Sequence, residues 1–220
     1  MTSLLLMASG VVAGGLGALV GVGGGVVLVP LLVLGFGVPM VEAVPVSLLC
    51  VVASSCGAAA AYVEQGLSDV RLAMVLELAT VAGAIGGGAL AGLVAPWALA
   101  LTFGTFALYV SLQMMRGSSV PEPAVSGFTE PQHLPLGMGG SFVAGGLSAL
   151  LGVGGGPIKV PLMRYVMNVP FRRASATSNL MIGVTGAASV VTYALAGHLR
   201  LELAAPLVVG VLAGAMLGAR

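Results

Sequence analysis

Gly21-Val22-Gly23-Gly24-Gly25-Val26-Val27-Leu28-Val29-Pro30-Leu31-Leu32 and Gly152-Val153-Gly154-Gly155-Gly156-Pro157-Ile158-Lys159-Val160-Pro161-Leu162-Met163 are two copies of one pattern. Nine residues after the first Val-Pro of each copy comes a second, Val38-Pro39 and Val169-Pro170, so all three marks repeat at an offset of 131 residues. Between 14–48 and 145–179 roughly half the aligned positions are identical. A duplicated apolar segment broken by glycine and marked by proline is the sequence form of a membrane transporter built from two repeats.

Composition fixes the solvent. The chain is 58% hydrophobic and 7% charged, whereas a soluble domain carries about a quarter charged residues. A water-facing surface cannot be made from so few charges, and the apolar runs are long and lack strand-like alternation. The fold class is therefore all-α, a polytopic membrane protein with about 7–9 membrane segments. A net charge of +1 leaves no broad basic face for nucleic acid. The implied partners are the lipid bilayer and a small ligand. Cys50 and Cys56 lie six apart in one apolar span, on different faces of a helix, and are expected to be small buried residues. The run 3–21 lacks the basic stretch of a signal peptide and repeats internal sequence, so it is expected to be retained.

Apolar segments cover 3–22, 26–36, 43–62, 72–94 and 97–115, then 136–153, 157–167, 174–196 and 201–219. A proline-rich loop separates the halves, giving a first repeat 1–115, a connection 116–134 and a second repeat 135–220. The fifth segment of the first repeat has no counterpart before Arg220, so the second repeat lacks the last span that symmetry predicts. Each glycine-broken region covers about 34 residues, or about 51 Å as one helix against a hydrocarbon core of about 30 Å. Each is better read as a long helix, a turn at the glycines and a short re-entrant arm that brings the chain back. With three further spans the crossings per repeat are odd, which inverts the second copy; the alternative is parallel repeats, with each broken region crossing only once. Charge agrees: Val41-Glu42 aligns with Arg172-Arg173, and cytoplasmic loops collect Lys and Arg. Arg71, Arg116, Arg172 and Arg173 then lie inside, with Glu42 and His198 outside.

Irregular backbone inside a membrane persists only where protein or a wet cavity surrounds it. Gly23, Gly24 and Gly25, with Gly154, Gly155 and Gly156, make such backbone twice and leave main-chain N–H groups open to a ligand. Pro157 places a helix N-terminus at the second turn, which favours an anion. Alternatively, these glycines are packing surfaces, as Gly210, Gly214 and Gly218 are expected to be. Such faces permit a homodimer without requiring one.

Lys159 replaces the apolar Leu28 of the first copy. It either binds an anion or snorkels to lipid headgroups. Ser178 and Asn179, with Thr177 beside them and Ser47 as the repeat partner of Ser178, either donate hydrogen bonds to an oxyanion or bond nearby backbone. Glu77 either relays protons or pairs with Lys159 inside the protein, or lies near enough to the interface to be solvated. The glycine runs follow no strand, and no metal-spaced Cys/His set or Ser-His-Asp candidate appears. No metal, no cofactor and no enzyme activity are therefore expected.

At Gly21–Gly25 with Val29-Pro30-Leu31-Leu32, at Gly152–Gly156 with Val160-Pro161-Leu162, and at Ala174-Ser175-Ala176-Thr177-Ser178-Asn179, the chain resembles the sulfite exporter TauE/SafE family of bacterial membrane proteins. The resemblance covers nearly the whole chain. It implies a permease for small sulfur-containing anions such as sulfite, sulfonates or related organic anions. The expected mechanism is alternating access around a site between the repeats; an accessory subunit of a membrane complex and an anion channel are the alternatives.

Overall fold

The computed structural model describes residues 2–20, 24–115 and 132–218. These are α1 (Thr2–Val20), α2 (Gly25–Pro30), α3 (Met40–Glu64), α4 (Val70–Ala91), α5 (Pro96–Met115), α6 (Leu134–Leu151), α7 (Gly156–Pro161), α8 (Phe171–Leu195) and α9 (Leu201–Gly218). The helices α2, α3 and α4 start 131 residues before α7, α8 and α9. Among the described residues α3, α4, α6 and α8 are long and apolar enough to cross a membrane, and shorter apolar helices lie between and beside them. The chain is an all-helical, multi-pass membrane protein.

The short arms form as their sequence dictates. Pro30 and Pro161 carry no N–H, so the helix cannot hold its ordinary ladder there, and α2 and α7 run on as π-helical turns over Leu31–Gly35 and Leu162–Val166. Each arm ends at a left-handed residue, Gly37 (φ 66°) or its counterpart Asn168 (φ 58°). The chain then turns back, with the Val38 N–H bonded to Leu32 O and the Val169 N–H to Met163 O, both at 3.0 Å. Each arm is about 16 Å long, too short to cross.

Helix directions follow from the contacts. Side chains added at Gly10 and Gly14 of α1 would strike Leu207 O and Val211 O of α9, four residues matched to four, so the two helices run parallel. The start of α9 lies beside the start of α3, where Arg200 Nε is 3.1 Å from Glu42 Oε2. Hence α1 and α3 run the same way, and the arm between them has returned the chain to its starting side. Likewise, side chains added at Gly83 and Gly87 of α4 would strike Phe142 O and Gly146 O of α6, so these two helices are parallel as well. The start of α4 meets the first turns of α8 through the Asp69 N–H bonded to Thr177 Oγ1 at 3.0 Å. Finally, Gly183 of α8 faces Ser55 and Cys56, while Gly186 faces Val52 and Leu48 O. So α3 and its counterpart α8 are antiparallel, and equivalent helices run in opposite senses.

The halves interlock. α1 packs on α9, α4 on α6 and α8, and α3 on α8 and α9. Small residues permit these approaches, which close packing and interhelical hydrogen bonds stabilise in an apolar solvent. Gly210 and Gly214 are occupied by α1, at Met7 O and Val11 O. One expectation needs correction: Cys50 is buried, but Cys56 is exposed. Six residues turn the helix by about 600°, so Cys56 leaves the face on which Cys50 packs.

A Cβ on Gly145 would overlap Thr80 O, whereas one on Gly86 or Gly139, in the same helix pair, would meet nothing within 4 Å. Gly145→Ala is expected to cost about 1–3 kcal/mol through forced separation of α4 and α6. Gly86→Ala and Gly139→Ala should be neutral or stabilise slightly, because alanine is the better helix former. Thermal unfolding in detergent separates the two outcomes.

Candidate functional site

The long helices α3 and α8 cross at their midpoints, since Val51–Ser55 and Ile182–Gly186 lie at the centres of Met40–Glu64 and Phe171–Leu195. Both glycine turns sit at that crossing. A Cβ on Gly25 would lie 2.6 Å from Gly152 O and 3.0 Å from Val51 Cγ2. One on Gly154 would lie 2.7 Å from Val51 Cγ1 and 2.8 Å from Ile182 Cγ2. The turns are therefore about half-way through the membrane thickness. Gly24, Gly154 and Gly155 hold φ of 74°, 77° and 77°, the left-handed region where a side chain is strained. Gly23 lies outside the described residues.

Depth decides the placement of Lys159. Its side chain is 1% exposed, and it stands on an arm that begins at mid-depth, so it does not reach the headgroups. The missing side chain of Gly155 makes room for its stem: a Cβ there would sit 3.4 Å from Lys159 Cε and 3.3 Å from Ser148 Cβ. The ammonium reaches across to α8 and α4. Lys159 Nζ donates to Thr185 Oγ1 at 2.6 Å, Thr185 lies 2.6 Å from Glu77 Oε1, and Lys159 Nζ is 3.6 Å from Glu77 Oε2. Glu77 is 8% exposed, so its carboxylate is interior and not solvated at an interface. Lys159 and Glu77 are the only charged side chains buried among the described residues. In so apolar a setting each charge is tolerable only because the other is there.

Three serine hydroxyls of α6 and α8 are buried without a hydrogen-bond partner: Ser141, Ser148 and Ser178. Ser148 adjoins Gly155, and Ser178 Oγ lies 3.8 Å from where a Cβ of Gly156 would be. Buried hydroxyls are almost always bonded, so two unpartnered ones beside one glycine turn stand out.

The structure thus gathers Gly155, Gly156, Lys159, Ser178 and Glu77. It gives two other candidates backbone partners. Ser47 donates to Gly152 O at 2.9 Å, tying the first repeat to the second turn, and Asn179 Nδ2 donates to Ser175 O at 3.1 Å in its own helix. Sequence reading missed Thr185, Ser148 and Ser141. Their signal was spacing: Ser178 and Thr185 are seven apart, as are Ser141 and Ser148, which puts each pair on one helix face.

The family model described as sulfite exporter TauE/SafE matches residues 6–220. The chain belongs to the TauE/SafE family. Relatives of this TauE/SafE protein include the probable membrane transporter protein YunE of Bacillus subtilis (strain 168), 28% identical over all of this chain and 88% of that protein. A probable membrane transporter protein of Xylella fastidiosa (strain 9a5c) is 27% identical over 98% of this chain and 83% of its own length. No solved structure matches. Like these relatives by name, the TauE/SafE chain is a membrane transporter.

Proposed function

We propose that this chain is a permease for small sulfur-containing anions, such as sulfite or sulfonates. Two inverted repeats, 1–115 and 135–220, would work by alternating access around a site at their crossing. The observation that carries this reading is the buried ammonium of Lys159 at mid-depth, beside a glycine turn and the unpartnered hydroxyls of Ser148 and Ser178. A tetrahedral or pyramidal oxyanion presents several acceptors at once. Lys159 on α7, Ser148 on α6 and Ser178 on α8 supply donors from three helices. The name of the matched family supports sulfite as a first ligand.

Binding of sulfite to the purified chain, with competition by methanesulfonate, sulfate and thiosulfate, tests the ligand class. Counterflow in vesicles tests the mechanism. Saturable exchange supports a permease, conductance without counterflow indicates an anion channel, and a folded protein that binds none of these anions sinks the reading.

Ser178→Ala gives a sharper check. The hydroxyl bonds nothing in the described structure, and an unsatisfied buried polar group costs about 1–3 kcal/mol. Its removal should leave stability unchanged or raise it by about 1 kcal/mol, while anion affinity falls roughly tenfold. A packing hydroxyl would show neither effect on binding.

A further inference from the structure

We propose that Glu77 is a proton-binding site coupled to the anion site, so that one proton moves with each monovalent anion. This rests on the permease reading above and adds the coupling ion and the charge class of the substrate.

The argument begins with the net charge of a dry site. With Lys159 as ammonium and Glu77 as carboxylate, the empty centre is neutral. A monoanion arriving alone would leave it at −1, and a proton alone would leave it at +1. Both are unpaired charges at mid-membrane, where desolvation costs several kcal/mol per ion. A proton and a monoanion together restore neutrality. The empty and the doubly loaded centres are therefore the two that can change sides cheaply. The same sum disfavours dianions, which leave a net negative charge even after one proton has bound.

The geometry provides for the exchange. Glu77 competes with any anion for Lys159, because its Oε2 stands 3.6 Å from Nζ and has no hydrogen-bond partner of its own. The proton comes from hydronium in water reaching the open side. An O–H bond forms at Oε2, water is left behind, and the carboxylate loses its charge. Thr185 accommodates both states. It accepts from Lys159, and its single hydroxyl hydrogen has two acceptors in reach, Glu77 Oε1 at 2.6 Å and Met181 O at 2.9 Å. When Glu77 is neutral the hydrogen can turn to Met181 O, leaving Lys159 free to attract the anion. On release to the other side, the proton returns to water and the ion pair reforms.

The surroundings leave Glu77 one charged neighbour. Among the described residues, α6 carries no ionisable side chain. On α8 the ionisable groups are Arg172 and Arg173 in the first turn, on the α4-start side of the molecule, and Tyr193, which donates to Ala149 O. On the second arm, Lys159 is the partner itself, Arg164 stacks over Phe171 and Tyr165 is exposed. Within α4 only Arg71 is otherwise ionisable, and it is exposed.

The test uses the full chain in proteoliposomes with methanesulfonate, which stays a monoanion over the working range. An inward methanesulfonate gradient should acidify the lumen one proton per anion, and a pH gradient of one unit, acid outside, should accumulate it about tenfold. Sulfate should move far more slowly. Glu77→Gln should lose both the acidification and the pH-driven accumulation, and whatever methanesulfonate exchange it retains should not respond to a pH gradient. Net methanesulfonate uptake by the wild type without proton movement overturns the coupling and leaves the permease reading intact. Absence of any exchange overturns both. The wild-type stoichiometry decides the matter even if Glu77→Gln fails to fold, and proton-driven accumulation persisting in a folded Glu77→Gln protein would also refute it.

Discussion

Lys159→Met is expected to abolish anion binding and to destabilise the protein by about 3–5 kcal/mol. Methionine keeps the unbranched apolar stem that fits beside Gly155, so packing changes little. What is lost is the ammonium, which leaves Glu77 with Thr185 as its sole remaining hydrogen-bond partner in an interior with no other cation among the described residues. Removing one partner of a buried ion pair costs far more than removing both. The double variant Lys159→Met, Glu77→Gln should therefore recover most of the lost stability. Its anion affinity should stay down by tens to about a hundredfold, the worth of a charge-assisted hydrogen bond at about 1.5–3 kcal/mol. Unfolding in detergent and ligand titration on the two variants read these separately. A double variant that binds methanesulfonate like the wild type would reduce the pair to a structural feature.

Gly154→Ala should be strongly damaging, because one methyl brings backbone strain and overpacking together. Its φ of 77° costs an L-residue about 1–2 kcal/mol, and the new Cβ would press on both Val51 and Ile182, the side chains at the crossing of α3 and α8. Overpacking at such a point adds about 1–3 kcal/mol, so a total loss of about 2–5 kcal/mol is expected, with poor yield in membranes. Gly37→Ala isolates the backbone contribution, because Gly37 has φ 66° and nothing within 4 Å of its would-be Cβ. It should lose only the first part. Equal losses at both sites would mean that the crossing tolerates movement of α3 against α8.

Much of this architecture was readable before any coordinates. The 131-residue offset announced two copies, and the length of the glycine-broken regions required arms that turn back, from which opposite senses follow by counting. Lys159 was visible because it broke the repeat, standing where the first copy has Leu28. What resisted reading was depth. Whether Glu77 met water or Lys159 depended on how far α4 slides along α6, which is set by Gly83, Gly87 and Gly145 pressing on carbonyls of the facing helix. Thr185 was passed over because a lone hydroxyl in an apolar helix ordinarily bonds its own backbone, as it also does here to Met181 O. Ser47 and Ser178 look equivalent in sequence, yet one ties down a turn and the other is left without a partner. Only the three-dimensional placement of the Gly152 carbonyl distinguishes them.

The parallel seam between α1 and α9 also sets a timetable for biosynthesis. Gly10 and Gly14 lie against Leu207 and Val211, so roughly 200 residues of translation separate the two halves of one interface. At about 5–20 residues per second, α1 waits roughly 10–40 s in the bilayer for α9. Through that interval its glycine face is bare, available to lipid or to any small-residue helix of another nascent protein. The α4 and α6 seam closes much sooner, since its strands of contact come from neighbouring stretches of chain. Assembly thus proceeds from the centre outward, and α9 is the helix that locks α1 in place.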